Sequence, residues 1–253
     1  MMILAVCLHQ FCLDCDAKLP SERVDMCKLE HLSPEQRSQL LNLLDEFADC
    51  FNDKPGLCVG VTHRIQTTSD FRPRQVRPYR VPELFKAEVD RHIKELLDMD
   101  LIRPSNSPMA SPIVCVAKKD GGVRIACDYR YLNSFTVSDS FPMSTIDELL
   151  TRVGKFKYIT VFDAKSGYWQ VPVAEEDRWL TAFVTHDNLY EWVRMSFGLK
   201  NAGATFVRAV VKCYIPFVIV PIRMLMTWRL VLMSGRTIFQ TYGVILKLFA
   251  KQV

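Results

Sequence analysis

Apolar positions in HLSPEQRSQLLNLLDEFADCF, which begins at His31, fall at Leu40, Leu41, Leu44, Phe47 and Ala48. That spacing places them on one helical face. Ser33 stands where a cap belongs, Pro34 suits the first helical position and Gln36 closes a capping box. A helix is expected there. A second is expected over VPELFKAEVDRHIKELLDMDLI, where Leu84, Val89, Ile93, Leu96 and Leu97 repeat at helical intervals. Residues 1–30 have no clear period and read as a loose lead-in. From His63 to Arg80 the pattern gives way to Arg64, Arg72, Arg74, Arg77 and Arg80 against only Asp70, with Pro73 and Pro78 favouring an extended path. A solvated linker and a strap that contacts nucleic acid fit that composition equally.

The period then shortens. SPIVCVAKK and VRIACDYR are rich in β-branched residues and are joined by Asp120-Gly121-Gly122, a strong hairpin signal. YITVFD reads as a buried strand and WQVPV as its antiparallel continuation. WLTAFVT and LYEWVRM flank His186-Asp187-Asn188 as a second hairpin. MSTIDELLTRV is expected to be a short helix, and LKNAGATFVRAVV to start another. Helices mixed with antiparallel strands in this order predict an α+β fold rather than a doubly wound sheet.

Charge changes that picture at one end. The 253 residues carry +4 overall, yet all 28 acidic residues lie at or before Glu191. Val211–Val253 has none against six Lys and Arg, so the first 210 residues carry a net −2. Soluble segments rarely avoid Asp and Glu for 43 residues. Nine scattered cysteines fit a reducing compartment, the cytoplasm or nucleus, better than a disulfide framework. Cys7, His9, Cys12 and Cys15 could hold zinc, but their spacing is tighter than a finger's and unpaired thiols are the simpler reading. Met1–Leu8 lacks the basic start of a signal peptide. Cys213–Ile222 and Thr237–Leu246 are free of charge but span ten residues each, too few to cross a bilayer.

SPMASPIVCVAKKDGGVRIACDYRYLN, FPMSTIDELL, KYITVFDAKSGYWQVPV, TAFVT and MSFGLKNAGATFVRA follow one another in an order that resembles the reverse transcriptase of gypsy-class retrotransposons. HRI and YRVPE, ahead of them, resemble that family's lead-in. The likeness covers about Leu32 to Val210. It implies a right-hand polymerase whose palm is incomplete here: a helix and basic strap over 32–81, fingers over 82–156 and a partial palm over 157–210. It also implies attack of a primer 3′-hydroxyl on a deoxynucleotide, directed by an RNA or DNA template. Two Mg²⁺ ions, about 3.5–4 Å apart, would clamp the attacking and leaving oxygens. By that resemblance Asp163 is the first metal carboxylate and the Ala164 carbonyl a further ligand. Tyr168 packs under the sugar, where it would clash with a 2′-hydroxyl. Lys118, Lys119 and Arg124 offset triphosphate charge from the hairpin. Phe197 and Gly198 brace nucleotide and template, while Arg72, Arg74 and Arg77 are the candidate nucleic-acid contacts. Trp169 and Gln170 are packing residues. Without the resemblance, Asp163 is a strand-ending turn residue, Tyr168 a core aromatic, and the hairpin cations an ordinary charged tip.

The family's other two carboxylates come as a Tyr-x-Asp-Asp turn beyond TFVRA, and this chain has none. The codons of Arg223-Met224-Leu225-Met226-Thr227-Trp228 explain the gap. Two nucleotides forward, the last base of Met226 and the first two of Thr227 spell aspartate whatever codons are used. A Leu225 codon ending in G gives a second aspartate, and suitable codons upstream give Tyr-Ala. The reading frame is therefore expected to have slipped near Val210–Cys213, leaving Val211–Val253 out of frame and the polypeptide inactive or nearly so. Its rivals are a non-catalytic nucleic-acid-binding fragment, a translated relic with an unpaired edge on Tyr158–Asp163, and, most weakly, a membrane protein.

Overall fold

The computed structural model describes residues 2–5, 19–30, 32–48, 54–117, 123–141, 158–163, 166–214 and 229–234. The expected helix at MSTIDELLTRV, the Asp120–Gly122 turn and the Cys7–Cys15 cluster lie outside them. Two compact units divide the chain. One gathers Met1–Cys58, Pro142–Gly167 and Val207–Val253, the other Val59–Phe141 and Tyr168–Phe206.

In the first unit, α1 (Pro34–Glu46) begins at the expected capping box. The Gln36 N–H donates to Ser33 Oγ at 3.3 Å and the Ser33 N–H to Gln36 Oε1 at 3.0 Å. Both bonds satisfy amides that a helix start leaves open. Leu40, Leu44 and Phe47 are buried as expected. The lead-in is more ordered than its composition implies. Met2–Ala5 forms β1, and 3-10 turns occupy Pro20–Arg23 and Met26–Leu29. Arg37 ties the second turn down by donating to the Glu30 and Leu32 carbonyls.

The sheet of this unit corrects another expectation. Tyr158–Asp163 forms β5, and it lies in the middle, with β1 parallel on one side and β8 (Arg229–Ser234) antiparallel on the other. The open edge is not there. Both partners come from segments remote in sequence, whose pairing no local pattern announces.

The second unit is built on a five-stranded sheet. Its strands are β2 (Ile102–Pro104), β3 (Ser111–Ala117), β4 (Val123–Cys127), β6 (Phe183–Val184) and β7 (Leu189–Trp192), in the order β2-β7-β6-β3-β4. β3 and β4 pair antiparallel as the hairpin signal predicted, with Val116 opposite Arg124. β6 and β7 form the second hairpin, shorter than expected because Glu175–Thr181 is a 3-10 helix that takes up Trp179-Leu180-Thr181. WQVPV is not a strand either. Gly167–Gln170 forms a 3-10 turn, and only Pro172 and Val173 make isolated bridges.

Helix α2 (Glu83–Asp98) buries Val89 and Ile93 but leaves Leu84 86% exposed. Leu84 lies five positions before Val89, a rotation of about 140° off the buried face; Phe85, one turn before Val89, is half-buried. A six-residue helix, α3 (Arg130–Phe135), replaces the end of the expected VRIACDYR strand and buries Leu132 completely. α4 (Ala202–Tyr214) follows as expected. Among the described residues no helix is long and apolar enough to cross a membrane.

The basic strap is extended, as its prolines predicted, but it is not a solvated linker. The His63 N–H donates to the Pro172 carbonyl and the Ala174 N–H to that of His63. Farther along, Val137 donates to Gln66, Thr68 to Phe135 and Val76 to Ala110. His63 and Ile65 are buried. The strap is backbone-bonded across the unit with its arginines outward.

Candidate nucleotide and nucleic-acid site

Most of the residues that the sequence singles out lie in the second unit, around a turn that only glycine suits. Gly198 has φ +91°, and a Cβ there would come within 3.4 Å of the Cys127 carbonyl oxygen. The left-handed backbone is what disfavours a side chain there; the 3.4 Å approach is itself an ordinary contact. Gly198→Ala is expected to destabilise this unit by about 1–2 kcal/mol. At Gly203 a Cβ would meet the Tyr168 hydroxyl at an ordinary 3.6 Å, so Gly203→Ala should stay within about 0.5 kcal/mol of wild type. Urea unfolding of the two variants checks the pair.

Phe197, just before that turn, is 44% exposed. Its ring centroid lies 5.2 Å from that of Tyr168 and 6.1 Å from that of Trp169. Tyr168 also meets Phe206 edge-on at 5.8 Å. These spacings are favourable for tilted aromatic pairs. Burial pushes the Tyr168 phenol up to about 12, so it stays protonated at neutral pH. Trp169 packs against Trp192 at 6.2 Å, the packing role expected of it.

The turn is fastened from α3. The Asn133 Nδ2 group donates to the Gly198 carbonyl at 2.7 Å, and the Lys200 N–H donates to Asn133 Oδ1 at 2.9 Å. Lys200 Nζ donates to the Thr136 carbonyl, and the Asn201 amide bonds Val137 and Asp139. None of these three side chains stands out in the sequence, because an amide that bonds a distant backbone leaves no periodic trace. A polar amide inside so short a helix is the only hint available.

At the hairpin, Arg124 is exposed and in register with Val116, itself 53% exposed. Lys118 and Lys119 lie outside the described residues. Asp128 carries a firm negative charge: hydrogen bonds from Arg130 first, then a backbone N–H and the Tyr79 hydroxyl, hold its carboxyl at about 2. Arg72, Arg74 and Arg77 are all exposed. Arg72 donates to the Ser69 and Phe71 carbonyls, and the Arg74 guanidinium lies 5.5 Å from the centre of the Tyr131 ring. Among the described residues, none of the three forms a salt bridge.

Asp163 belongs to the other unit. It ends β5, and its register partner on β8 is Arg229; Ala164 lies outside the described residues. Trp192–Val253 contains no Asp or Glu, so β8 brings no second carboxylate to Asp163. Two Mg²⁺ ions need several anionic oxygens between them, and among the described residues of this sheet Asp163 is the one carboxylate. Another cluster, Asp90, His186 and Asp187, converges in the second unit, with His186 Nε2 3.3 Å and 3.1 Å from the two carboxylates. Imidazole is a poor ligand for magnesium, and the buried Nδ1 has no hydrogen-bond partner among the described residues. That cluster does not suit a magnesium pair.

The family described as reverse transcriptase (RNA-dependent DNA polymerase) matches residues 116–217. The retrovirus-related Pol polyprotein from transposon 297 of Drosophila melanogaster is 36% identical over 189 residues, 72% of this chain and 18% of that polyprotein. The Pol polyprotein from the transposon gypsy of the same fly is 39% identical over 155 residues, 59% of this chain and 15% of that one. The chain thus spans about a fifth of the length of the curated relatives it matches. Among solved structures, a foamy viral protease-reverse transcriptase in complex with an RNA/DNA hybrid superposes with a TM-score of 0.75 at 25% identity. It covers 87% of this chain and 29% of that one.

Proposed function

Because this chain carries a reverse transcriptase domain of the gypsy-class retrotransposon Pol kind, we propose that its ancestral reaction is RNA-directed DNA synthesis and that this polypeptide no longer performs it. Primer–template and deoxynucleoside triphosphate are the ligands of that reaction. Tyr168 and Phe197 would offer the sugar and base an aromatic floor, beside the turn that needs Gly198. Lys118, Lys119 and Arg124 would meet the triphosphate. The RNA/DNA hybrid held by the foamy viral relative is the kind of partner this reading calls for. The thiols of Cys27, Cys115 and Cys127, outside any disulfide, suit a reducing cytoplasm or nucleus.

The observation that carries the loss of activity is the register of Asp163 with Arg229 in a stretch without carboxylates. A polymerase palm concentrates negative charge at this point to hold its metals, whereas the residue in strand register here is an arginine. No step of the reaction can run through a metal pair held by Asp163 alone. The frame slip near Val210–Cys213 accounts for this, and the family match stops at residue 217, before the codons that hide Tyr-Ala-Asp-Asp. Sequencing the gene tests it. An Arg223 codon ending in T and a Leu225 codon ending in G are expected; any other base at either position removes the hidden motif.

A second reading rests on Arg72, Arg74 and Arg77, exposed on a strap whose backbone is pinned. A fragment without catalysis can still hold phosphates through such cations. Replacing all three with Gln is expected to lower the slope of log affinity against log salt for a primer–template duplex by about 2–3, since each neutralised phosphate contributes about 0.9. An unchanged slope in a filter-binding titration would remove the strap from the interface.

A further inference from the structure

The exposed ring of Phe197 leads into a turn that one side chain bridges from both ends. Asn133 uses both ends of its amide. Nδ2 donates to the carbonyl of Gly198 and Oδ1 accepts from the N–H of Lys200. An amide that bridges the carbonyl of one residue and the N–H two residues on fixes the peptide planes between them. Here those planes form the left-handed bend at Gly198, with φ +91°. The residue entering this bend is Phe197, 5.2 Å from Tyr168. Lys200 and Asn201 add bonds to the chain just past α3, but neither touches the Gly198 carbonyl.

We infer that Asn133 is a positioning residue that aims Phe197 at Tyr168 and so sets the aromatic floor on which a nucleoside triphosphate would rest. The floor itself rests on the function proposed above; the positioning does not. Only an amide serves. A carboxylate at this place would still accept from Lys200 but would turn a second oxygen toward the Gly198 carbonyl. That contact is repulsive and leaves a carbonyl unpaired. A serine is too short to span both partners.

The test uses the full chain and the variants Asn133→Asp and Asn133→Ser, with Lys200→Met as a neighbour that loses only the bond to Thr136. In Asn133→Asp, NMR on labelled aromatic residues is expected to lose the Tyr168–Phe197 ring contact, while Lys200→Met keeps it. Titration with dTTP is expected to show affinity falling about tenfold in Asn133→Asp, the effect of leaving one such polar group unsatisfied. Retention of the ring contact in both Asn133 variants overturns the inference, whatever happens to binding. If the wild-type chain binds no dTTP, the proposed nucleotide site fails and the ring contact alone decides the role of Asn133. Should both Asn133 variants lose the cooperative unfolding of the wild type, the residue is architectural and the positioning role is lost.

Discussion

Incorporation of labelled deoxynucleotide by this chain on a primed RNA template is expected to be no greater than that of its own Asp163→Asn variant. In a palm with a complete acidic set, the metal pair stabilises the transition state by several kcal/mol. At 1.36 kcal/mol per decade, loss of a ligand carboxylate there should cost on the order of 10³-fold or more. In this chain the ratio should be one, because no second carboxylate lies between Trp192 and Val253. The contrasting arm restores the frame from the codon of Lys212 and supplies the remaining Pol segments. There Asp163→Asn should again cost on the order of 10³-fold. Incorporation by the unrepaired chain above its Asp163→Asn control would show that the missing pair is dispensable, and the proposed loss of function would be wrong.

What the sequence made legible is what local physics decides. The capping box at Ser33 and Gln36 works within four residues and appears as expected. The β3–β4 hairpin follows from a glycine-rich turn between β-branched runs. Leu84 was misplaced because apolar residues were gathered by approximate spacing, whereas the helix turns it about 140° from Val89. The other departures are non-local. β1 and β8 cover the edges of β5 from segments far away in the chain, and the strap looks solvated because its attachments are backbone bonds that composition does not reveal. The same division runs through the site. Gly198 declares itself as a turn glycine, while Asn133, which holds it from 65 residues away, declares nothing.

His63 of the HRI triplet is expected to make the second unit acid-sensitive. The side chain is 1% exposed, and its Nδ1 lies 2.9 Å from Thr205 Oγ1. Burial pulls the imidazole down to about 4, against a weaker opposing pull from the Asp139 carboxylate. Because the folded value lies below the unfolded one of about 6.5, the neutral ring favours folding. That stability is fully present above pH 6.5 and is lost as the pH falls toward 4, where the unfolded chain takes up a proton that the folded one refuses. The loss should reach about 3 kcal/mol. Asp128, depressed to about 2, contributes stability that is lost only below the ordinary carboxylate range, between about 3.8 and 2, so the two windows separate. Urea unfolding between pH 7.5 and 4.5 should therefore report mainly the histidine. His63→Asn keeps a polar atom near the Nδ1 position but cannot titrate, and it should start lower at pH 7.5 and stay flat. A variant that retains the wild-type slope would place the acid sensitivity elsewhere. A flat wild type would mean that water reaches the ring and that the strap is looser at His63 than its backbone bonds to Pro172 and Ala174 imply.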